Sequence, residues 1–216
     1  MSRVKPGIND LETVNPELAR EWHPTKNGDL TPSQVACQSN KSVWWIDSKG
    51  HEWKATISSR SSGRGCPYCS GNKVLAGFND LQTTNPDLAE EWNWARNKEL
   101  SPASVTAGSN KKVWWIGPCG HEWEATIASR SKIHSGCPYC SNNKVLPGFN
   151  DLATRKPECL SWWDYDKNSK DGIEPTNIMP SFLSDVWWKC PAGHSWKQKV
   201  NSFGSSALCV GGLPMK

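Results

Sequence analysis

The reading of this chain turns on Val113-Trp114-Trp115-Ile116-Gly117-Pro118-Cys119-Gly120-His121-Glu122-Trp123-Glu124-Ala125-Thr126-Ile127, followed by Gly136-Cys137-Pro138-Tyr139-Cys140. Two runs rich in β-branched and aromatic residues flank a glycine-containing turn, which predicts a β-hairpin. The C-P-x-C segment is a knuckle whose spacing lets two thiolates converge on one ion while proline stiffens the loop. The hairpin turn supplies the complementary donors. Cys119, His121, Cys137 and Cys140 therefore make a Cys3His set, which suits tetrahedral zinc and leaves no coordination position open for chemistry.

The same pattern recurs on either side. Gly7-Ile8-Asn9-Asp10-Leu11, Gly77-Phe78-Asn79-Asp80-Leu81 and Gly148-Phe149-Asn150-Asp151-Leu152 mark three starts. Self-similarity at a period of about 70 residues divides the chain into repeats at 1–76, 77–147 and 148–216, the last of which is degenerate. Each repeat opens with a short helix signal, Asn15-Pro16-Glu17-Leu18-Ala19-Arg20-Glu21-Trp22 in the first and Asn85-Pro86-Asp87-Leu88-Ala89-Glu90-Glu91-Trp92 in the second. Asn caps, Pro suits the first helical position, and an acid in the first turn meets the helix dipole. In the third repeat Lys156 replaces the capping Asn, and Cys159 takes the place of Leu18 as a small buried apolar residue.

Hairpins follow in each repeat: Val43–Ile46 with His51–Ile57, and Val186–Lys189 with His194–Val200. Alternation places Trp53, Ala55 and Ile57 on one face and Glu52, Lys54 and Thr56 on the other. Adjacent Trp residues cannot share a face, so one of each pair belongs to the core and the other points outward. The predicted fold class is small α+β, zinc-stabilised modules in three tandem treble-clef or zinc-ribbon-like copies, each a short helix plus a β-hairpin with a knuckle.

The first repeat offers His51, Cys66 and Cys69, with Asp47 able to supply a carboxylate oxygen and Cys37 an alternative fourth donor. The third offers Cys190, His194 and Cys209, with Gly212 where the second knuckle cysteine would fall. One to three Zn2+ ions are expected.

Composition agrees with small stapled units. The chain has 216 residues, of which nine are Cys and 14 Trp, while Leu, Ile, Val and Phe are scarce. Neither a signal peptide nor a membrane span is visible, so the expected compartment is the reducing cytoplasm, where paired Cys with nearby His read as metal ligands. A half-module cannot hold itself by burial alone, and structural zinc contributes on the order of 10 kcal/mol in comparable peptides.

With N-D-L-x-T-x-N-P-x-L-A-x-E-W, V-W-W, G-H-E-W and C-P-Y-C in view, each copy resembles the bacterial and phage "probable zinc-ribbon domain" family of treble-clef fingers. The resemblance implies a first Cys four residues before the His, as Cys190 stands to His194. The second repeat departs from this with Cys119 and the first with Asp47. It also implies association with DNA, since such modules are often found beside nuclease domains.

Charge is segregated within each repeat. Residues 7–36 carry net −3 and 37–76 net +4, and the second and third repeats alternate in the same sense, within an overall net charge of +4. The candidate nucleic-acid-binding residues are Lys54, Arg60, Arg64, Lys73, Lys111, Lys112, Arg130, Lys132, Lys144, Lys197 and Lys199, interleaved with outward aromatics that would stack on bases. The expected partner is nucleic acid, DNA before RNA. The alternative is a protein-binding adaptor or inhibitor with exposed Trp anchors. The chain is not expected to be an enzyme: H-E-W is not H-E-x-x-H, there is no phosphate-binding glycine loop, and Cys and His are absorbed by zinc. No small-molecule substrate is expected.

Overall fold

The computed structural model describes residues 4–203, together with the backbone of Cys209–Val210 and Leu213–Pro214. The Gly-x-Asn-Asp-Leu starts become the same turn three times. Gly7, Gly77 and Gly148 adopt φ of 76°, 79° and 81°, a region glycine enters freely. Each then donates its backbone N–H to the carboxylate of Asp10, Asp80 or Asp151 at 2.6 Å. The same carboxylates accept the backbone N–H and hydroxyl of Thr13, Thr83 and Thr154. They cap the one-turn helices Leu11–Val14, Leu81–Thr84 and Leu152–Arg155 and seat Leu11, Leu81 and Leu152 in the core.

The predicted helix begins at Pro16 and Pro86, as Pro16–Ala19 and Pro86–Glu90. It stays separate from the turn before it because proline disfavours the helical conformation at the preceding residue, and Asn15 is held at φ −142°. The Asn15 side chain accepts from the Leu18 N–H at 3.2 Å. Lys156 makes no side-chain cap, and the third repeat carries a 3-10 helix there, Pro157–Trp162, with Cys159 buried as expected.

The hairpins are Ser42–Ile46 with Glu52–Thr56, Lys112–Ile116 with Glu122–Thr126, and Asp185–Lys189 with Ser195–Lys199. In the first, Trp44 faces Lys54 and Trp45 faces Trp53, and in the third, Trp187 faces Lys197 and Trp188 faces Trp196. Trp45, Trp115 and Trp188 are fully buried, while Trp44, Trp114 and Trp187 are half-buried on the outer side. The indole N–H of each inner Trp donates to a backbone carbonyl, that of Ala55, Ala125 or Gln198. The second strand ends earlier than expected, in helices Ile57–Ser61 and Ile127–Ser131, whose caps Thr56 and Thr126 accept from the N–H of Ser59 and Ser129. The third repeat has a 3-10 turn at Val200–Ser202.

In the first and third repeats the helical half is tied to its hairpin through backbone and rings. Ile46 donates to the Glu21 carbonyl and His23 to the Trp44 carbonyl, at 2.8 and 3.1 Å. Trp22 meets Trp45 edge to face at 5.5 Å, and Trp163 meets Trp188 likewise at 5.3 Å. The chain packs as two units, Met1–Lys111 with Thr126–Lys132, and Lys112–Ala125 with Ile133–Lys216. The second repeat thus contributes its first half and the helix Ile127–Ser131 to one unit, and most of its hairpin with the knuckle to the other.

Candidate metal centres and basic face

The three hairpin turns share one backbone. Gly50, Gly120 and Gly193 have φ of 82°, 76° and 90°. Their N–H groups donate back to the carbonyls of Asp47, Gly117 and Cys190 at 2.9, 2.9 and 2.8 Å. This turn brings His51, His121 and His194 to the same place in each repeat, and the identity of the neighbouring donor is what differs.

In the second repeat, Cys119, His121, Cys137 and Cys140 have one donor atom each within 4.8 Å of all the others. The sulfurs of Cys137 and Cys140 lie 3.5 and 3.4 Å from His121 Nδ1. Around tetrahedral zinc, bonds of about 2.3 Å to sulfur and about 2.05 Å to nitrogen put those atoms about 3.6 Å apart. The donor set and its spacing fit Zn2+. Position 117 is glycine where the other repeats have Asp47 and Cys190, and the far end of the Trp123 ring lies 3.0 Å from where a Cβ would stand. The third sulfur of the group is that of Cys119, two residues on.

In the first repeat the corresponding group is Asp47, His51, Cys66 and Cys69, also within 4.8 Å of one another. Asp47 Oδ1 is occupied by the backbone N–H groups of Lys49 and His51, both at 2.9 Å. This leaves Oδ2 3.0 Å from His51 Nδ1 and 3.4 Å from Cys69 Sγ. The carboxylate is thus aimed as a one-oxygen ligand. The Cys66 and Cys69 sulfurs stand 3.6 and 3.4 Å from His51 Nδ1. Cys37 is not in the group; it packs against the core of the first repeat. Burial pushes the Cys66 thiol up to about 11. Burial and the sulfurs of Cys119 and Cys137 do the same to Cys140, also to about 11. Asp47 lies well below the usual carboxylate range: burial opposes its ionisation, but hydrogen bonds led by the His51 N–H outweigh that. Zinc binding therefore displaces thiol protons.

In the third repeat Cys190 Sγ lies 3.6 Å from His194 Nδ1, the same separation. The Cys209 side chain and Gly212 lie outside the described residues.

Among the candidate nucleic-acid-binding residues, Lys54, Arg64, Lys73, Lys111, Lys112, Lys132, Lys144, Lys197 and Lys199 are exposed. Arg60 and Arg130 are not, and they leave the candidate face. Each is 7% exposed and forms an ion pair with a glutamate of the helical half, Glu21 and Glu91 respectively. Part of the charge segregation is therefore spent inside the repeat. Conversely, sequence reading passed over Lys26 and Lys167, which lie in the acidic halves. Lys26 Nζ sits 5.0 Å over Trp44, and Lys167 Nζ 4.1 Å over Trp187, with Lys197 Nζ 5.0 Å from the same ring. Asn27 and Asn168 hold those Trp strands by paired bonds to the backbone of Trp44 and Trp187.

The chain matches the family described as "Probable Treble clef zinc finger domain" at residues 18–72, 88–143 and 159–210. No curated protein matches the chain. No helix among the described residues is long and apolar enough to cross a membrane.

Proposed function

The chain belongs to the family described as probable treble clef zinc finger domain, in three tandem copies, and from that premise we propose that it is a non-catalytic, cytoplasmic zinc-binding repeat protein that binds nucleic acid, DNA before RNA. The observation that carries this reading is the outer face of the hairpins. In the third repeat Trp187 has Lys167 and Lys197 over its ring at 4.1 and 5.0 Å. In the first, Trp44 has Lys26, which is also paired with Glu52, at 5.0 Å and Lys54 opposite it across the strands. A ring beside two cations offers a base something to stack on and the flanking phosphates something to pair with. Zinc supports this face by fixing the hairpin and has no part in a reaction.

The test is a mobility-shift titration of the zinc-loaded chain against single-stranded and duplex DNA and RNA. Phosphate binding weakens steeply between about 50 and about 200 mM salt. Lys197→Ala should lower the salt slope by about one, and Trp187→Ala should weaken binding with the slope unchanged. No salt-dependent binding to any of these would sink the proposal. It would favour a protein-binding adaptor, for which Trp94, 61% exposed, is the natural anchor.

A further inference from the structure

The family matches stop at Asn72 and Asn143 and resume at Leu88 and Cys159. The stretches between them, 73–87 and 144–158, lie outside the matches and carry the start of the following repeat. By structure they close the metal centres. The Phe78 ring lies 4.2 Å from that of His51, and the Phe149 ring 4.2 Å from that of His121. The tyrosine of its own knuckle also lies edge-on to each imidazole, Tyr68 at 5.9 Å and Tyr139 at 5.7 Å. Each ligand imidazole thus sits against two aromatic rings, one of which belongs to the next repeat.

The residue after each Phe secures the knuckle loop. Asn79 Nδ2 donates to the carbonyls of Tyr68 and Lys73 at 2.7 and 2.8 Å, while its Oδ1 accepts from the Leu75 N–H at 2.7 Å. Asn150 repeats this with Tyr139, Lys144 and Leu146 at 2.9, 2.9 and 2.7 Å. The next residue in each case is Asp80 or Asp151, the cap of the first helix of the following repeat. One short segment therefore touches the ligand, holds the knuckle and starts the next module.

We propose that Phe78 with Asn79, and Phe149 with Asn150, are positioning residues of the preceding metal centre, so that zinc retention in one repeat is coupled to the folding of the first turn of the next. The rings fix the imidazole and keep water and competing chelators from its face. The amides keep the two knuckle thiolates at a common distance. Groups that orient metal ligands typically change metal affinity by about 10–100-fold when lost.

The test uses the full zinc-loaded chain, challenged with a chelator in the presence of iodoacetamide. Cys66 and Cys69 fall on one tryptic peptide, and Cys137 and Cys140 on another, so mass spectrometry reads each centre separately. In the variant Phe78→Ile with Asn79→Asp, the first change copies Ile8 of the first repeat, which builds the same Gly–Asp turn, and the second removes the amide donor while keeping the acceptor. It should raise the alkylation rate of Cys66 and Cys69 about 10–100-fold and leave Cys137 and Cys140 at the wild-type rate. Phe149→Ile with Asn150→Asp should do the reverse. Removing zinc should in turn speed amide exchange over residues 75–84. Unchanged alkylation in both variants would overturn the proposal. So would equal acceleration at both centres, which would mark a general loss of stability.

Discussion

Arg60 and Glu21 form an ion pair across 39 residues of sequence, joining the short helix after the hairpin to the helical half of the first repeat. The guanidinium also lies 5.2 Å from the centre of the Trp45 ring and 5.1 Å from that of Trp53. In the third repeat the two positions hold Phe203 and Trp162, 6.3 Å apart, with Phe203 stacked on Trp188 at 3.9 Å. The same joint is made from charge in the first two repeats and from aromatic packing in the third. Glu21→Ala should leave a buried cation without its carboxylate and lower stability by about 2–3 kcal/mol, less than the roughly 3–5 kcal/mol of a fully buried pair, because the Glu21 side chain keeps 39% exposure and the guanidinium keeps the Arg64 carbonyl and the two Trp rings. Glu21→Trp combined with Arg60→Phe should recover most of that. Denaturation followed by Trp fluorescence on zinc-loaded protein checks both, and a double variant weaker than Glu21→Ala would contradict the exchange.

The two four-donor groups predict at least two zinc ions per chain. Cys140→Ala should remove one of them and His51→Ala with Cys66→Ala the other, as measured by elemental analysis. Chelation should then loosen the hairpin halves, since structural zinc in such sites carries about 10–16 kcal/mol of folding free energy at pH 7. Zinc content unchanged in either variant would show that the donors are not ligands.

Asp47 gives the first centre two thiolates where the second has three. Softer thiolate ligands hold zinc and its heavier relatives more firmly than carboxylate. The first ion should therefore leave before the second in a chelator titration, and Asp47→Cys should close the gap. Gly117→Ala, by contrast, should disturb the second hairpin, because its Cβ would stand 3.0 Å from the Trp123 ring. Simultaneous release of both ions from the wild-type chain would refute the ordering.

Asp80 predicts an acid-sensitive cap. Burial raises its pKa, and the bonds from Thr83 and Gly77 more than offset this, so the net value lies below the ordinary 3.8. A carboxyl depressed in the folded state contributes stability that is complete above its unfolded pKa and is lost as pH falls through the folded one. Asp80→Ala should cost about 1–2 kcal/mol near neutrality, as for other helix caps. The difference from wild type should shrink below about pH 4. A gap independent of pH would show that the ionised form is not what caps the helix.

Much of the architecture was legible because the repeat printed it three times. The Asn15-Pro16 start, the buried and outward Trp of each pair, the buried Cys159 and the second repeat's donor group all follow from spacing and alternation within short segments. The helices Ile57–Ser61 and Ile127–Ser131 were not legible, since five residues rich in Ser span too little of a helical period to register. Arg60 and Arg130 looked like surface cations for the same reason: nothing local to them reveals a glutamate 39 residues earlier.

Sequence alone determined that there are three modules, where their hairpins turn and which Cys and His are brought to each turn, because those features depend on residues close along the chain. Tertiary structure alone decided that Asp47 turns one oxygen toward His51 and Cys69, that two arginines are buried, and that Phe78 and Phe149 cover the imidazoles of the preceding repeat. Those outcomes depend on distances across the fold, where packing and the need to pair buried charge select one arrangement from many that local spacing permits.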